Sequence, residues 1–334
     1  MSTTPIGRRS GLRTVAEVFG SPGKFLITGH LHPDGDALGS ALALARFLNN
    51  AGHQAFFTAE KTQLGRPAFL QGCELILSPA DALKKPCTAW IALDCATRER
   101  LPEPLREPST RARIINIDHH AGNTRYGELN WIDPNASCTG ELVWKLARFL
   151  KWPFDTASAE ALWVSLITDT GRLAHENTSP AALRFGAHLL THRVRTSFIS
   201  ERLFNSFSSD VLQLKRRALD SLASWFNGRV AHIHLTRADY HATRTTNADA
   251  DDFIEIPRSL DTARVALFFY ETPTPGTRLS IRTCAPLDAT RLATRFGGGG
   301  HTRAAGCTLD MPLDAAMRTI QTLLPDCFND ELNP

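Results

Sequence analysis

Apolar residues in the first half of the chain come in short runs, each closed by a polar or acidic residue. Residues 24–29 (KFLITG), 89–93 (AWIAL) and 113–117 (RIINI) have the length and continuity of buried strands. Residues 54–59 read as another strand. Before it, residues 37–49 place Leu38, Ala41, Leu42, Ala45 and Leu48 at helical spacing, and Asn50 and Gly52 end the pattern. Strand, helix and strand in that order predict a parallel sheet. Further helices are expected over 139–150, over 156–168 with a stop at Gly171, and over 181–192. Residues 196–224, which carry Lys215, Arg216 and Arg217, read as an amphipathic helical connector. Beyond it, 229–235 alternates apolar and polar residues as a half-buried strand does. Strands over 265–270 and 277–282 flank a proline-rich turn, and a helix over 288–296 runs into the glycines at 297–300.

Composition narrows the class. With 334 residues, 43% of them hydrophobic, the chain can bury two cores, and 21% charged residues is an ordinary globular value. The periodicity divides it into an N-terminal α/β domain over 1–195, a connector over 196–227 and a smaller α/β domain over 228–334. A net charge of +3 excludes a strongly basic nucleic-acid coat, so any polyanion must meet local clusters. The seven cysteines include no C-x-x-C pair, and a chain this long needs no disulfide framework, so reduced thiols are expected. Arg8, Arg9 and Arg13 have no apolar core behind them, and no run of about 18 apolar residues exists. The expectation is a soluble, cytoplasmic protein with no membrane span.

Acidic and histidine residues gather where the strands end. Gly29-His30-Leu31-His32-Pro33-Asp34-Gly35-Asp36 follows one buried run, Asp94 closes a second, and Asp118-His119-His120 closes a third. Asp169 lies at the end of the apolar helix before Gly171. In an open parallel sheet the strand ends line one edge, where ligands bind. Taken singly, Asp34 or Asp36 is an ordinary helix N-cap, His30 or His32 an ordinary surface or core histidine, and Asp169 an ordinary helix-end residue. Taken together they place several carboxylates where their mutual repulsion and burial both oppose folding, and divalent cations are the simplest compensation. Imidazole mixed with carboxylate, without clustered thiolates, fits Mn²⁺ better than Mg²⁺ or structural Zn²⁺. Two ions about 3.5–4 Å apart would suit phosphate ester hydrolysis.

These segments resemble the DHH phosphoesterases. HLHPDGDALGS is similar to the first motif of that family, IALDCA to the second, NIDHH to the motif that names it, and ITDTG to the fourth. DHHAGNTRYGELNWIDPNASCTGELVWKL is similar throughout, whereas Leu173 stands where many members have an aromatic residue. The resemblance implies two Mn²⁺ per chain, one held by His30, Asp34 and Asp94, the other by Asp36, Asp94, His119 and Asp169. It implies that His120 contacts the scissile phosphate or its leaving group and that Asp118 orients the histidines. GGGGHTRAAG at 297–306, preceded by LSIR at 279–282, is similar to the DHH-associated domain. There Gly298, Gly299 and Gly300 would present backbone N–H groups to an anion, with Arg282 and His301 as charged donors. A plain flexible linker is the competing reading of the glycines. The implied architecture is a parallel-sheet DHH domain with flanking helices and a smaller DHH-associated α/β domain, with a cleft between them.

Size and two-domain layout are most similar to the oligoribonuclease (nanoRNase, NrnA-type) branch. The expected activity is hydrolysis of short single-stranded oligonucleotides to mononucleotides, with 3′-phosphoadenosine 5′-phosphate as a further substrate. The alternatives are a phosphodiesterase for linear or cyclic dinucleotides and a non-catalytic nucleotide-binding protein. Polarity of attack, sugar preference and the choice between monomer and homodimer stay open.

Overall fold

The computed structural model describes residues 8–106, 113–250 and 252–332. Residues 1–7, part of the segment read as lacking a secretory core, lie outside the described residues. The chain forms two compact units, Met1–Ser206 and Phe207–Pro334.

The first unit is built on six strands: β1 (Arg8–Arg9), β2 (Lys24–Thr28), β3 (Gln54–Thr58), β4 (Ala89–Leu93), β5 (Arg113–Asp118) and β6 (Leu129–Ile132). Their spatial order is β1-β6-β5-β4-β2-β3, and every pair is parallel. The apolar runs are continuous because both faces of the sheet are covered. Phe25, Ile27, Ile91, Leu93, Ile115 and Ile117 enter a core shared with the helices Gly35–Asn50, Thr139–Phe149, Thr156–Asp169 and Pro180–Leu190. The intervening Leu26, Trp90 and Ala92 pack on the other face against Ala82, Leu101 and Leu105, which belong to short turns. The chain leaves β2 toward β3 on one side and then returns to place β4 on the other side. The strand order therefore reverses between β2 and β4, and a crevice opens at their carboxyl ends.

One helix pair sets the depth of that crevice. The Gly35–Asn50 helix lies against the Thr156–Asp169 helix through two glycines a turn apart. A Cβ on Gly35 would sit 2.4 Å from Thr168 Oγ1, and one on Gly39 would sit 2.2 Å from the Ala161 carbonyl oxygen. This contact brings Asp36, in the first turn of one helix, toward Asp169, the last residue of the other.

The second unit carries β7 (Ala223–Trp225), β8 (Val230–Leu235), β9 (Val265–Glu271), β10 (Thr277–Thr283), β11 (Gly299–His301) and β12 (Ala304–Leu309), ordered β11-β12-β10-β9-β8-β7. Only the β8–β9 pair is parallel among them. Helix Leu313–Leu332 covers one face through Leu313, Ala316, Ile320 and Leu324. Phe253, Ile254 and the Ser209–Asp220 helix cover the other.

Two sequence expectations change, and a competing reading falls away. The connector is not one helix: Thr196–Ser200 runs into a π-helical turn, Glu201–Asn205, and a separate helix begins at Ser209. The Ser208 hydroxyl accepts from the Val211 N–H, so the second helix starts with its own cap. The helix expected over 288–296 is one α-turn, Thr290–Ala293, followed by a 3₁₀ turn. The glycines are no linker, because Gly299 and Gly300 pair with Gly306 and Ala305 as an edge strand. Strands β6, β7 and β12 and the last helix went unread in the sequence. β6 is short and carries a buried Asn130, and β12 (AAGCTL) is small-residue chain that periodicity alone leaves ambiguous. Among the described residues no helix is long and apolar enough to cross a membrane.

Gly39→Ala tests the helix contact. Alanine is the better helix former by about 1 kcal/mol, but the Ala161 carbonyl is backbone and cannot move aside. The substitution should therefore destabilise the first unit, by about 1–3 kcal/mol in urea unfolding. A neutral or stabilising result would show that the two helices can part without cost.

Candidate metal centre

Each element delivers its side chain to the crevice by a local rule. β2 ends and the chain turns through His30 to Asp34, whose Oδ1 accepts from the N–H groups of Asp36 and Ala37, each at 3.0 Å. Asp34 is thus the N-cap of the next helix, and its other oxygen, Oδ2, lies 3.7 Å from His30 Nε2. Asp94 follows β4 directly with φ at +52°, a left-handed backbone that costs a non-glycine residue about 1–2 kcal/mol. Asp118 ends β5, and its Oδ1 accepts from the His119 and His120 N–H groups at 2.8 and 3.2 Å.

The histidines show what the crevice is shaped for. His30 Nδ1 lies 2.7 Å from the Leu31 carbonyl oxygen, and His119 Nδ1 lies 3.3 Å from that of Ala136. A carbonyl only accepts, so Nδ1 donates in both rings, and each Nε2 is turned toward carboxylates. His30 Nε2 is 3.6 Å from Asp94 Oδ2. His119 Nε2 is 3.6 Å from Asp94 Oδ1, 3.7 Å from Asp36 Oδ2 and 3.7 Å from Asp169 Oδ2. These gaps are too long for hydrogen bonds. They match two donors on either side of a cation with ligand distances of about 2.0–2.3 Å. The two oxygens of Asp94 face different histidines. Accordingly His30, Asp34 and Asp94 form one compact donor group, and Asp36, Asp94 and His119 form another.

Donors from distant chain segments hold these carboxylates in place. The Thr139 and Gly140 N–H groups, at the start of the Thr139–Phe149 helix, donate to Asp36 Oδ2 at 2.7 Å and Oδ1 at 3.1 Å. The Ser165 hydroxyl also donates to Asp36 Oδ1, and the Thr139 hydroxyl to Asp94 Oδ1 at 3.1 Å. Asn177 donates to Asp169 Oδ2 at 3.0 Å and to the Ser137 carbonyl at 2.8 Å. Asn123 donates to Asp118 Oδ2 at 2.6 Å and to Asn116 Oδ1 at 2.7 Å, while Asp118 Oδ1 sits 2.7 Å from His120 Nδ1. None of Asn116, Asn123, Thr139, Ser165 or Asn177 stood out in the sequence. The only signal was their presence inside motif-like segments, since their partners lie up to 129 positions away.

Burial pushes Asp94 and Asp169 well above the usual carboxylate range, and the charges of Asp36 and Asp34 push in the same direction. Burial likewise raises Asp36 despite the nearby His119. Asp118 behaves oppositely: burial would raise it, but the bond and charge of His120, then Asn123, bring it down to about 2. Asp36, Asp94 and Asp169 are therefore strained as anions, whereas Asp34, which burial would raise but the bond and charge of His30 bring down, and Asp118 behind His120 are stable ones.

The remaining sequence candidates lie in the second unit and come together there. Arg282 pairs with Ala304, which pairs with His301, so the three form one cross-strand row with side chains on a common face. The adjacent row on that face is Ser280, Gly306 and Gly299. Alanine and glycine leave a low floor between the arginine and the histidine. A Cβ on Gly298 would lie 2.2 Å from the Gly306 carbonyl oxygen, and Gly300 has φ +146°, so both positions require glycine.

Comparison with known proteins follows the same lines. The model of the DHH family, N-terminal domain, matches residues 24–167. The bifunctional oligoribonuclease and PAP phosphatase NrnA of Thermus thermophilus is 32% identical over 313 residues, 92% of either chain. The cyclic-di-AMP phosphodiesterase GdpP of Geobacillus thermodenitrificans is 24% identical over 360 residues, covering 98% of this chain and 52% of that protein. The fold is shared with an exopolyphosphatase-related protein from Bacteroides fragilis, at a TM-score of 0.84 and 23% identity, covering 94% of this chain and 95% of that one.

The raised carboxylates give a signed pH dependence. A carboxyl whose folded pKa exceeds its unfolded value, near 4, adds stability while protonated and loses it as pH rises through the folded value. Asp36, Asp94 and Asp169 all act this way. A divalent cation favours their charged forms. The rise in Tm on adding Mn²⁺ to chelator-stripped protein should therefore grow as pH increases from about 4 to 8. Taking the difference between the two scans cancels groups outside the centre. A difference independent of pH would contradict the assignment.

Proposed function

We propose that this chain, which belongs to the DHH family, is a divalent-cation-dependent phosphodiesterase that cuts short single-stranded oligonucleotides to mononucleotides, with 3′-phosphoadenosine 5′-phosphate as a second substrate. The NrnA relative, similar over nearly the whole chain, supports the substrate class by its name. The observation that carries the chemistry is the divided carboxylate of Asp94, one oxygen toward His30 and the other toward His119. A carboxylate so placed would be shared between two ions. His30, Asp34 and Asp94 would hold one, and Asp36, Asp94, His119 and Asp169 the other. The donors fit, since both imidazoles present Nε2 and no thiolate faces the group, which favours Mn²⁺ over Mg²⁺. When bound, the two ions supply charge to the phosphate oxygens and make water a better nucleophile.

The chain's own residues do the rest. Asp118 fixes His120 at Nδ1 and turns Nε2 away from itself, toward the phosphate or the leaving oxygen. Asn123 in turn fixes Asp118. The Thr139 and Gly140 N–H groups and Ser165 hold Asp36 before any ion arrives, so little reorganisation remains for the reaction. In the second unit the row Arg282–Ala304–His301, with the backbone of Gly298, Gly299 and Gly300, holds a phosphate other than the one being cut. Its role is positioning. A second reading, hydrolysis of linear or cyclic dinucleotides, is favoured by the likeness to GdpP. Comparing rates on a 5-mer, pApA, cyclic di-AMP and 3′-phosphoadenosine 5′-phosphate separates the two.

Two outcomes follow. Chelator-stripped protein should regain activity with Mn²⁺ more fully than with Mg²⁺, and Asp94→Ala should regain about a thousandth or less with either, while staying folded. Full activity of Asp94→Ala with two Mn²⁺ per chain would remove its bridging role. Arg282→Ala should lower kcat/KM on dinucleotides and 5-mers by about 100-fold, and should cost much less on a small activated phosphodiester, with metal content unchanged. Equal losses on both substrates would place Arg282 in the chemical step.

A further inference from the structure

Beside the metal centre the first unit bears a patch in which arginines lie over phenylalanines. Arg172 lies over Phe204 at 4.9 Å, Arg202 over Phe69 at 5.7 Å and Arg195 over Phe198 at 4.7 Å. Phe69 and Phe198 meet edge to face at 5.6 Å, so two of the pairs are joined. Such pairs occur about once in 70–80 residues, and their concentration in one patch needs a cause. Packing accounts for Phe69 and Phe204, which lie against the core, but not for Phe198, which is 42% exposed, nor for Arg172 and Arg202, which are exposed. Nor do ion pairs. Arg195 is neutralised by Glu160 at 2.7 Å, but among the described residues Arg172 and Arg202 have no carboxylate partner.

The patch is tied to the centre at two points. Arg172 stands three positions after Asp169, and its N–H returns to the Ile167 carbonyl at 2.7 Å, which keeps it against the end of that helix. Gly171, Arg172 and Leu173 are left-handed in succession, at φ +54°, +63° and +66°. Two of them are not glycine, so the turn is strained by about 1–2 kcal/mol at each. Strain held beside a reactive centre commonly fixes the direction of a side chain. At the second point, the Gln63 side chain accepts from the His32 N–H at 3.3 Å, and Gln63 leads into the turn Arg66–Phe69. The other side of the patch is the π-helical turn Glu201–Asn205, a geometry that recurs at functional sites.

We propose that this patch is a nucleotide subsite for a single-stranded substrate whose cleaved bond lies at the metal centre. Arg172 and Arg202 face phosphates of the nucleotides beyond that bond, and the exposed ring of Phe198 meets a base. A single strand carries both features at every residue, one negative charge and one flat base, which is the complement of unpaired arginine beside phenylalanine. The proposal rests on the oligonucleotide reading of the centre and adds to it a reason for length preference, because a longer strand fills more of the patch.

The test uses the full chain with Mn²⁺ for turnover, and separately measures equilibrium binding of fluorescent RNA to chelator-stripped protein. Arg172→Gln, Arg202→Gln and Phe198→Ala are compared with the parent on a dinucleotide, a 3-mer and a 5-mer. The double arginine variant should lose about tenfold or more in kcat/KM on the 5-mer, and several-fold less on the dinucleotide. The slope of log affinity for the 5-mer against log salt should become shallower by about 0.7 for each phosphate contact removed. Phe198→Ala should weaken 5-mer binding without changing that slope. Equal losses on dinucleotide and 5-mer, or an unchanged salt slope, would overturn the subsite. If the parent binds the 5-mer and the variants do not, yet the parent cleaves no oligonucleotide, the subsite stands and the activity assigned above fails.

Discussion

Carboxylates from Asp36, Asp94 and Asp169 converge on Nε2 of His119, and their negative charges repel one another in a largely buried site. No distribution of protons on these groups makes hydrogen bonds at 3.6–3.7 Å. Positive charge between them does what protons cannot. The rest of the first unit can be understood as the means of keeping this unfavourable arrangement intact until that charge arrives.

The means are ordinary elements used at close range. The parallel sheet brings three strand ends to one edge, and the reversal of strand order between β2 and β4 leaves room there. Gly35 and Gly39 let two helices approach until Asp36 and Asp169 share a site, which any larger residue would prevent. A third helix points its N-terminus at Asp36, so the backbone donors that every helix leaves unsatisfied hold a carboxylate that would otherwise be repelled. Left-handed backbone at Asp94 is a local cost that these contacts offset. Second-layer groups such as Asn123 and Asn177 act at one remove, fixing the residues that touch the site.

The second unit uses a different logic. There a row of small residues lies between Arg282 and His301 on an antiparallel surface. Such a floor can hold a group without straining the protein, which suits the positioning role proposed for it. Division of this kind lets substrate length and end group be selected by surfaces that take no part in bond cleavage.

The sequence by itself determined the buried strands that end at the site, the first helices and the candidate donors. Each of His30, Asp34, Asp36, Asp94, Asp118, His119 and His120 stands directly beyond an apolar run, and a strand buried on both faces can end in only one way. Sequence periodicity is a local property, and these residues sit at local boundaries. It also raised two readings of Asp34, cap or ligand donor, and the structure shows one oxygen capping the helix and the other 3.7 Å from His30 Nε2. Only the tertiary structure decided which oxygen of Asp94 faces which histidine, which ring nitrogen is turned inward, and which distant groups hold the carboxylates. It decided too that the glycine run is an edge strand, that Arg172 meets Phe204, and that the connector breaks at Ser206–Ser208. These depend on contacts across many tens of residues, such as Thr139 with Asp36 and Asn177 with Ser137. Their geometry is fixed by how closely two helices pack, and no window along the chain contains that distance.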